Sequence, residues 1–463
     1  MNHFRIMNND SSRDALLRKY DVPVPRYTSY PTVPCWDTNS FSISQWQRAV
    51  EKAFDETNDT KGISLYIHLP FCESLCTYCA CNTRITKNHT VEEAYSRAVM
   101  AEWDLYRYIF GRQPVIRELH IGGGTPTFFS PKNLKKLLQG ILSKAIIHPD
   151  HEFSFEGHPN NTTTEHLQAL YELGFRRVSY GVQDLDLKVQ QAIHRLQPFE
   201  NLESVVKASR DTEFASIGFD LIYGLPYQTI ESISTTFGKV IQLKPDRIAF
   251  YSYAHVPWIK PGQRGYEDAD IPSDVYKRSL YETGCRLLTR AGYQDIGMDH
   301  FALPHDSLYQ AMRKGDLHRN FMGYTTSHTD LLIGLGASAI SDAKYAYAQN
   351  MKQVEHYERM VLHHELAVVK GHIQTEQDRL IKKCILNLAC NGELKVELLQ
   401  RVEDPLMLDE LKVMHKEGLL HVKSETIKIT PLGKAFIRNI CSVFDKRMKS
   451  INPESDKIFS KAI

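Results

Sequence analysis

The sequence predicts an α/β protein in which six strands of a parallel sheet alternate with helices. Short apolar runs rich in β-branched and aromatic residues recur along residues 62–253, and segments with apolar residues at helical spacing lie between them. Six units are two short of the eight that close a barrel, so we expect an open, partial (β/α)6 barrel. The expected strands are Ser64–Phe71, Val115–Ile121, Glu152–Glu156, Arg177–Val182, Ser216–Tyr223 and Arg247–Tyr253.

Size, charge and cysteine content exclude several classes of protein. A chain of 463 residues is too long for one core, and its 42% hydrophobic and 24% charged residues are ordinary for a globular protein. The net charge of +1 gives no bulk attraction to nucleic acid or to an anionic membrane. No apolar stretch has membrane length, and the polar N-terminus is unlike a signal peptide. Nine cysteines without such a signal indicate a reducing cytoplasm.

Residues 1–60 are expected to form an N-terminal arm. Its main feature is PRYTSYPT, Pro25 to Thr32, an extended segment punctuated by prolines. Such a segment serves either as a strap packed over a domain surface or as a lid over an active site. Composition alone does not separate the two, because hydroxyl and aromatic residues suit both.

The first strand leads directly into a cluster of cysteines. Residues 66–84 read YIHLPFCESLCTYCACNTR, which places Cys72, Cys76 and Cys79 in a C-x3-C-x2-C pattern and Cys81 two residues later. Thiolates this close together bind zinc or iron–sulfur, and the second cysteine pair of a typical zinc site does not follow. Three thiolates on a [4Fe–4S] cluster leave one iron open to a small molecule. A structural zinc site and a redox-sensing thiol cluster are the alternatives.

Polar residues follow the ends of all six expected strands. In parallel α/β barrels the residues at the carboxyl ends of the strands carry the chemistry. The polar residues at these six ends therefore predict a ligand site. The GGGTPT loop lacks the lysine of a P-loop, and its glycines allow backbone to approach a ligand closely. In strand order the features are the cysteine loop, Gly122 to Thr127, Glu156 with His158, Gln183-Asp184, Asp220 with Tyr223 to Pro226, and Tyr251 to His255.

The expected helices carry their own start and stop signals. Ser130-Pro131 supplies a cap and a first-turn proline, and Gly174 is a stop signal.

Residues 376–463 resemble a winged-helix module, for which a packing or lid role is favoured over DNA binding because no basic face stands out. The expected domains are an arm over the active site (residues 1–60), the partial barrel with its extension (residues 61–375) and the C-terminal winged-helix-like domain (residues 376–463). The expected helices and hairpin are Val91–Phe110, the segment from Ser130, Glu165–Leu173, Thr229–Leu243, Ser273–Ala291, Asp378–Leu388, Leu406–Glu417, the hairpin Leu419–Thr430, and Leu432–Ile440.

The cysteine motif resembles that of the radical S-adenosylmethionine (SAM) enzymes. Over nearly its whole length the chain resembles one family of these, the oxygen-independent coproporphyrinogen III oxidases. The motifs that carry the resemblance are PRYTSYPT, LYIHLPFC, GGGTPT, GVQD, FDLIYGLP, YAHVP, GMDHFA, NFMGYTT, LGASAIS and YAQN. A related haem-chaperone family shares the barrel and three cysteines, but is similar neither in the arm nor in Cys81.

The resemblance implies a role for each site residue. Cys72, Cys76 and Cys79 would bind a [4Fe–4S] cluster, and two SAM molecules would share the site. Cys81 would not bind the cluster but would have a catalytic role near the substrate. The residues implied to line SAM are Tyr66, Tyr78, Gly123, Gly124, Thr125, Glu156, Gln183, Arg195, Asp220, Ala254 and Ile340.

The implied activity is the anaerobic oxidative decarboxylation of two propionates of coproporphyrinogen III to vinyl groups in haem biosynthesis. It implies a low-potential electron donor, an electron acceptor, a cytoplasmic monomer, and no nucleic acid or membrane partner. A haem-trafficking protein on the same barrel and a radical enzyme acting on another tetrapyrrole are alternatives. Three departures from the family pattern are Ala80 in place of glycine, Tyr78 in place of phenylalanine, and the segment Gly157 to Asn161.

Overall fold

A twelve-stranded sheet organises one of two units of the chain, formed by residues 37–317 and 324–374. The computed structural model describes residues 10–258, 260–402, 404–449 and 459. In chain order its strands are β1 (Ile63–Leu69), β2 (Phe71–Cys72), β3 (Arg84–Ile85), β4 (Val115–Gly123), β5 (Ile146–Gly157), β6 (Phe175–Gln183), β7 (Ser216–Tyr223), β8 (Arg247–Ser252), β9 (Gln294–Gly297), β10 (His300–Ala302), β11 (His318–Asn320), β12 (Gly323–Thr325), β13 (Leu332–Leu335), β14 (Ile340–Asp342), β15 (Ala346–Asn350), β16 (Val368–Ile373), β17 (Glu393–Lys395), β18 (Leu420–Val422) and β19 (Thr426–Ile429).

Seven neighbouring strands of this sheet are parallel, in the order β13-β1-β4-β5-β6-β7-β8. Antiparallel strands extend both sides, β14 to β16 beyond β13, and β10 and β9 beyond β8. The two edge strands, β16 and β9, are not paired with each other within the described residues, so the sheet is open. The six predicted strands are β1 and β4 to β8, adjacent and in chain order, which confirms the open α/β architecture.

Helices fill the connections between the parallel strands. In chain order, α3 (Val91–Phe110) connects β1 to β4, α4 (Pro131–Leu142) connects β4 to β5, α5 (Thr164–Glu172) connects β5 to β6, and α8 (Ile230–Leu243) connects β7 to β8. Within the described residues, no helix combines the length and apolarity needed to cross a membrane. The helices are α1 (Asp10–Tyr20), α2 (Ile43–Thr57), α3 (Val91–Phe110), α4 (Pro131–Leu142), α5 (Thr164–Glu172), α6 (Leu187–Ala192), α7 (Phe199–Asp211), α8 (Ile230–Leu243), α9 (Asp274–Arg290), α10 (Ser307–Lys314), α11 (Val354–Leu362), α12 (Glu376–Asn391), α13 (Val396–Gln400), α14 (Pro405–Lys416), α15 (Ile437–Ser442) and α16 (Lys446–Lys449), with 3-10 turns at Val33–Cys35, Pro126–Phe128, Pro261–Arg264, Asp268–Asp270 and Gly433–Phe436.

Helix α3 follows the sequence signals closely. Tyr95, Val99 and Trp103, four residues apart, lie on one buried face, as helical periodicity requires. The helix ends at Gly111, whose φ of 66° is a left-handed conformation that glycine adopts readily and whose N–H donates to Arg107 O. At the start of α4, the Ser130 hydroxyl accepts the Asn133 N–H, as the predicted cap requires. Both predictions are confirmed.

The structure corrects several of the predicted elements. β1 ends at Leu69 rather than Phe71, and β5 begins at Ile146, six residues before its predicted start. The parallel strand β13 was not predicted, because glycines interrupt its apolar pattern. The helix predicted over Leu432–Ile440 is a 3-10 turn followed by α15.

A buried carboxyl group connects α3 to the turn after β13. The Glu102 carboxyl accepts the Gly336 N–H (2.8 Å), the Tyr357 hydroxyl (2.7 Å) and the Asn350 amide (2.6 Å). Burial raises the pKa of Glu102 to about 7, although these three donors lower it. The folded chain therefore holds a proton on this group more tightly than the unfolded chain does.

This raised pKa predicts a pH dependence of stability. The stabilising effect of the bound proton is complete below the unfolded pKa and is lost as pH rises from about 4.5 through about 7. A shift of this size corresponds to about 3 kcal/mol. We expect the wild type to lose stability relative to Glu102→Gln over this window, measured by denaturant unfolding of the two proteins from pH 4.5 to 8. A constant difference between them would contradict the prediction.

The other unit contains the chain up to Trp36, residues 318–323 and the chain from Thr375 onward. Its C-terminal part follows the order α12, β17, α13, α14, β18, β19, with a three-stranded sheet β17-β19-β18, which is the expected winged-helix-like arrangement. The PRYTSYPT segment packs within this unit, where the Tyr27 hydroxyl donates to Asp445 (3.1 Å) and Arg438 donates to Pro25 O (3.3 Å). That the arm covers the active site, and the three-domain division, stay predictions.

Candidate active site

A cavity of about 450 Å³ opens at the carboxyl ends of the parallel strands, where the polar strand ends were predicted to meet. Its size suits a cofactor or small ligand. Twelve of the fifteen predicted site residues line it: Cys72, Cys76, Tyr78, Cys79, Cys81, Gly123, Gly124, Thr125, Glu156, Gln183, Arg195 and Asp220.

The other three predicted residues lie outside this lining. Tyr66 lies on β1, where its hydroxyl is 3.0 Å from His68 Nδ1 and its ring stacks on His120. Ala254 contributes a backbone carbonyl that accepts the Gln263 amide (3.1 Å). Ile340 begins β14 and is half-buried. Their predicted contacts with SAM stay predictions.

The cysteine loop is anchored by backbone hydrogen bonds on both sides. The Cys79 N–H donates to Cys76 O (3.1 Å), which closes a turn between two of the thiols. The Thr77 N–H donates to Ile193 O (3.0 Å), so the loop is attached to the segment after β6. On its far side, the Asn82 side-chain amide donates to Lys352 O, and the Asn82 carbonyl accepts a hydrogen bond from His68 Nε2 (2.9 Å each). These contacts hold the loop over the strand ends.

The thiols differ in their protonation. A hydrogen bond from Cys81, helped by the charges of Lys260 and Arg195, lowers the pKa of Cys79 to about 6 against the opposing effect of burial. The same hydrogen bond, with burial, raises the pKa of Cys81. Burial raises the pKa of Cys72 to about 11. At neutral pH the structure thus favours Cys79 as the thiolate of the Cys79–Cys81 pair.

The donor set fits an iron–sulfur cluster. Cys72, Cys76 and Cys79 line one cavity, and Arg195 donates to Cys76 Sγ (3.5 Å), which places a positive charge beside this sulfur. Among the residues that the structure describes, no three candidate ligands converge on a single metal ion. The thiolates of a [4Fe–4S] cluster bind different irons, so convergence on one point is not required.

The glycine loop after β4 is joined to the chain that enters the cysteine loop. The Gly124 N–H donates to Leu69 O (2.8 Å) and the Thr125 N–H donates to Phe71 O (2.9 Å). A Cβ atom on Gly124 would lie only 2.6 Å from Pro70 O. Glycine at this position therefore allows two backbone segments to approach closely beside the cavity.

Two carboxyl groups face the same cavity from β5 and β7. Burial and the charge of Glu156 raise the pKa of Asp220 to about 7. Burial alone would raise the pKa of Glu156, but the hydrogen bond and charge of His120 lower it. Two acids with opposite pKa shifts suit hydroxyl and ammonium groups of a ligand.

Arg195 is held in position by three acceptors. Its guanidinium donates to Gly181 O (2.6 Å), Gln197 Oε1 (3.2 Å) and Cys76 Sγ (3.5 Å). A guanidinium has five N–H groups, so two remain for a ligand carboxylate. Gln183, at the end of β6, has a φ of 64°, an uncommon conformation that is frequent at functional sites.

His120, which lies on β4 two residues before the glycine loop, is a site residue that was not predicted. Its Nε2 is 3.5 Å from Glu156 Oε1, and its Nδ1 is 2.8 Å from the Ser154 hydroxyl. A sequence signal was present, because His120 lies two residues before Gly122 on the same expected strand, and residues two apart on a strand share a face. The structure places Gly122, and with it this face, beside Glu156.

Two departures from the family pattern have visible structural roles. The Asn160 amide donates to Leu196 O (2.8 Å) and its carbonyl accepts from Asn201 (3.1 Å), so this residue connects the loop after β5 to the segment after β6. Tyr78 packs against a small buried cluster that includes Val189 and Ile193. Ala80 is exposed, and nothing in the structure explains its identity.

Comparisons with known proteins show the family to which this chain belongs. Residues 66–240 match the Radical SAM superfamily. The chain is 38% identical over 459 residues to the oxygen-independent coproporphyrinogen III oxidase of Helicobacter pylori (strain J99), with 96% of this chain and 98% of that protein covered. It is 37% identical over 447 residues to the Escherichia coli K12 protein of the same name, with 94% and 95% covered. A solved structure of E. coli coproporphyrinogen III oxidase (HemN), described as a radical SAM enzyme, matches with a TM-score of 0.85 at 36% identity, covering 92% of this chain and 99% of that one. The chain therefore belongs to the oxygen-independent coproporphyrinogen III oxidase family of radical SAM enzymes.

Proposed function

We propose that this chain catalyses the oxygen-independent oxidation of coproporphyrinogen III, in which two propionate side chains become vinyl groups and protoporphyrinogen IX is formed. One observation carries the proposal. Three cysteines, a glycine loop and two acids converge on one cavity in a chain that matches enzymes of this name over 94–96% of its length. Family membership implies a [4Fe–4S] cluster and SAM as cofactors.

When bound, the cluster and SAM would supply a 5′-deoxyadenosyl radical able to take a hydrogen atom from the propionate β-carbon. A propionate that has lost this hydrogen atom would become a vinyl group by losing carbon dioxide and one electron, and the electron would pass to an acceptor. The residues of the chain would bind and orient the cofactors and would exclude water from the site. Cys72, Cys76 and Cys79 would hold the cluster, and Gly123 and Gly124 would admit SAM close to the backbone.

The charged residues of the cavity would orient the cofactor. Arg195, with two N–H groups left by its protein contacts, suits a carboxylate. Glu156 and Asp220 suit ribose hydroxyls or an ammonium group. His120 would position Glu156 rather than contact SAM itself.

Several finer features belong to the same proposal. A second SAM would share the cavity, and a low-potential electron donor would reduce the cluster. We propose a monomer in a reducing cytoplasm, where the cavity-lining thiols would escape oxidation.

An anaerobic assay tests the proposed function. The cluster is reconstituted, a reductant, SAM and coproporphyrinogen III are added, and the products are analysed by mass spectrometry. Loss of two carboxyl groups per porphyrinogen, with formation of 5′-deoxyadenosine, is expected. Formation of 5′-deoxyadenosine without decarboxylation would contradict the substrate assignment, and an intact cluster that yields neither product would favour haem trafficking.

Replacement of Cys81 by serine tests its proposed role near the substrate. Cys81 lines the cavity beside Cys79 but is not among the three proposed ligands. We expect Cys81→Ser to keep its iron content and to lose decarboxylation by at least about a hundredfold, the range of a positioned proton donor. Iron analysis and the product assay check both results. Full turnover with an intact cluster would contradict the role.

A further inference from the structure

His158 lies two residues beyond Glu156 and lines the same cavity. Its Nδ1 atom accepts the Asn160 N–H at 3.1 Å, so this nitrogen carries no proton. In a neutral imidazole the proton then resides on Nε2. Burial and, to a lesser extent, the charge of Arg195 lower the pKa of His158 to about 3, so the ring is neutral at physiological pH.

The loop that carries His158 is held by its own hydrogen bonds. The His158 carbonyl accepts the Asn161 N–H, the Thr162 N–H and the Thr162 hydroxyl, each at 3.0 Å. Asn160 joins this loop to Leu196 O. The tautomer and the backbone position are therefore both set before any ligand arrives, which reduces the ordering cost of binding.

The Nε2–H group has no acceptor among the residues that the structure describes. Arg195, whose charge acts on the same ring, also keeps two N–H groups beyond its protein contacts. Both groups are donors only. A ligand group that meets them must accept hydrogen bonds, and next to a guanidinium an anionic acceptor is favoured.

We propose that His158 and Arg195 together form a binding site for a ligand carboxylate, in which His158 is a neutral hydrogen-bond donor that determines the position of the carboxylate. This rests on the proposed function, which brings two sources of carboxylate into the cavity, the methionyl end of SAM and the substrate propionates. A metal ion does not suit the ring, because one nitrogen is engaged by Asn160 and the other carries the proton.

Two variants separate the donor from the loop contact. In His158→Asn, the amide oxygen can replace Nδ1 as the acceptor for Asn160, but no donor reaches the Nε2 position. In His158→Gln, the longer amide can place a donor near the Nε2 position, but the local acceptor is lost. His158→Asn therefore keeps the loop contact and removes the donor, whereas His158→Gln keeps a donor and removes the loop contact.

The experiment uses the reconstituted holoenzyme under anaerobic conditions. The Kd of SAM is measured by equilibrium binding without substrate, and the KM of coproporphyrinogen III is measured at saturating SAM. We expect His158→Asn to weaken one of these by about tenfold or more, the value of a hydrogen bond to a charged group, and His158→Gln to restore most of the loss. A change in the Kd of SAM assigns the carboxylate to the cofactor, and a change in KM alone assigns it to the substrate.

Two results would contradict the proposed carboxylate-binding site. Wild-type values for His158→Asn in both measurements would exclude the donor role. Weaker binding by His158→Gln than by His158→Asn would show that the loop contact alone matters. If the wild type forms 5′-deoxyadenosine without decarboxylation, the proposed function fails, while the Kd of SAM still reports on a cofactor carboxylate.

Discussion

Replacement of Cys76 by alanine is expected to abolish cluster assembly and, with it, formation of 5′-deoxyadenosine. Cys76 lines the cavity with Cys72 and Cys79, and its sulfur accepts a hydrogen bond from Arg195. Without Cys76 only two of the three proposed thiolate ligands remain, so one iron of the cluster would lose its protein ligand. We expect a rate loss of at least about a thousandfold, equivalent to about 4 kcal/mol in the barrier.

Cys285→Ala is the matched control for this experiment. Cys285 lies on α9 outside the cavity lining, and burial raises the pKa of its thiol to about 12, so it is an inert thiol. Iron and sulfide content, the visible absorption of the cluster and the yield of 5′-deoxyadenosine are measured for both variants. A Cys76→Ala protein with wild-type iron content would contradict the ligand assignment, as would equal losses in the control.

Gly124→Ala is expected to produce the second largest effect. A methyl group on Gly124 would lie 2.6 Å from Pro70 O and 2.8 Å from Phe71 O. Neither atom can rotate away, because both belong to the backbone that leads into Cys72. The strain of about 1–3 kcal/mol that overpacking causes would displace the cysteine loop. We expect reduced cluster content and a SAM affinity at least about tenfold lower, since about 1.4 kcal/mol corresponds to tenfold.

Gly238→Ala provides the control, because it makes the same chemical change where space is available. Gly238 lies in α8, and a Cβ atom there would meet no atom within 4 Å. We expect this variant to keep its cluster and to gain about 0.5–1 kcal/mol in the free energy of unfolding. Thermal unfolding and cluster absorption compare the two variants. Wild-type cluster content and SAM affinity in Gly124→Ala would show that the loop tolerates the displacement.

Local signals predicted those elements in which neighbouring residues decide the conformation. The prediction of α3 from its periodic apolar residues and the prediction of the Ser130 cap of α4 were both confirmed. β13 was missed because its short apolar run is interrupted by glycines, and it becomes a strand only by pairing with β1. Propensity is weak in such a segment, and tertiary pairing decides.

The sequence by itself determined the succession of strands and helices, the spacing of Cys72, Cys76 and Cys79, and the positions of the polar strand ends. These depend on periodicity and on residues close together in the chain. Only the tertiary structure decided that His120 would meet Glu156 and that Arg195 would reach Cys76, 119 residues away. Such contacts depend on which strands become neighbours and in which register, and hydrogen bonding between distant segments sets both.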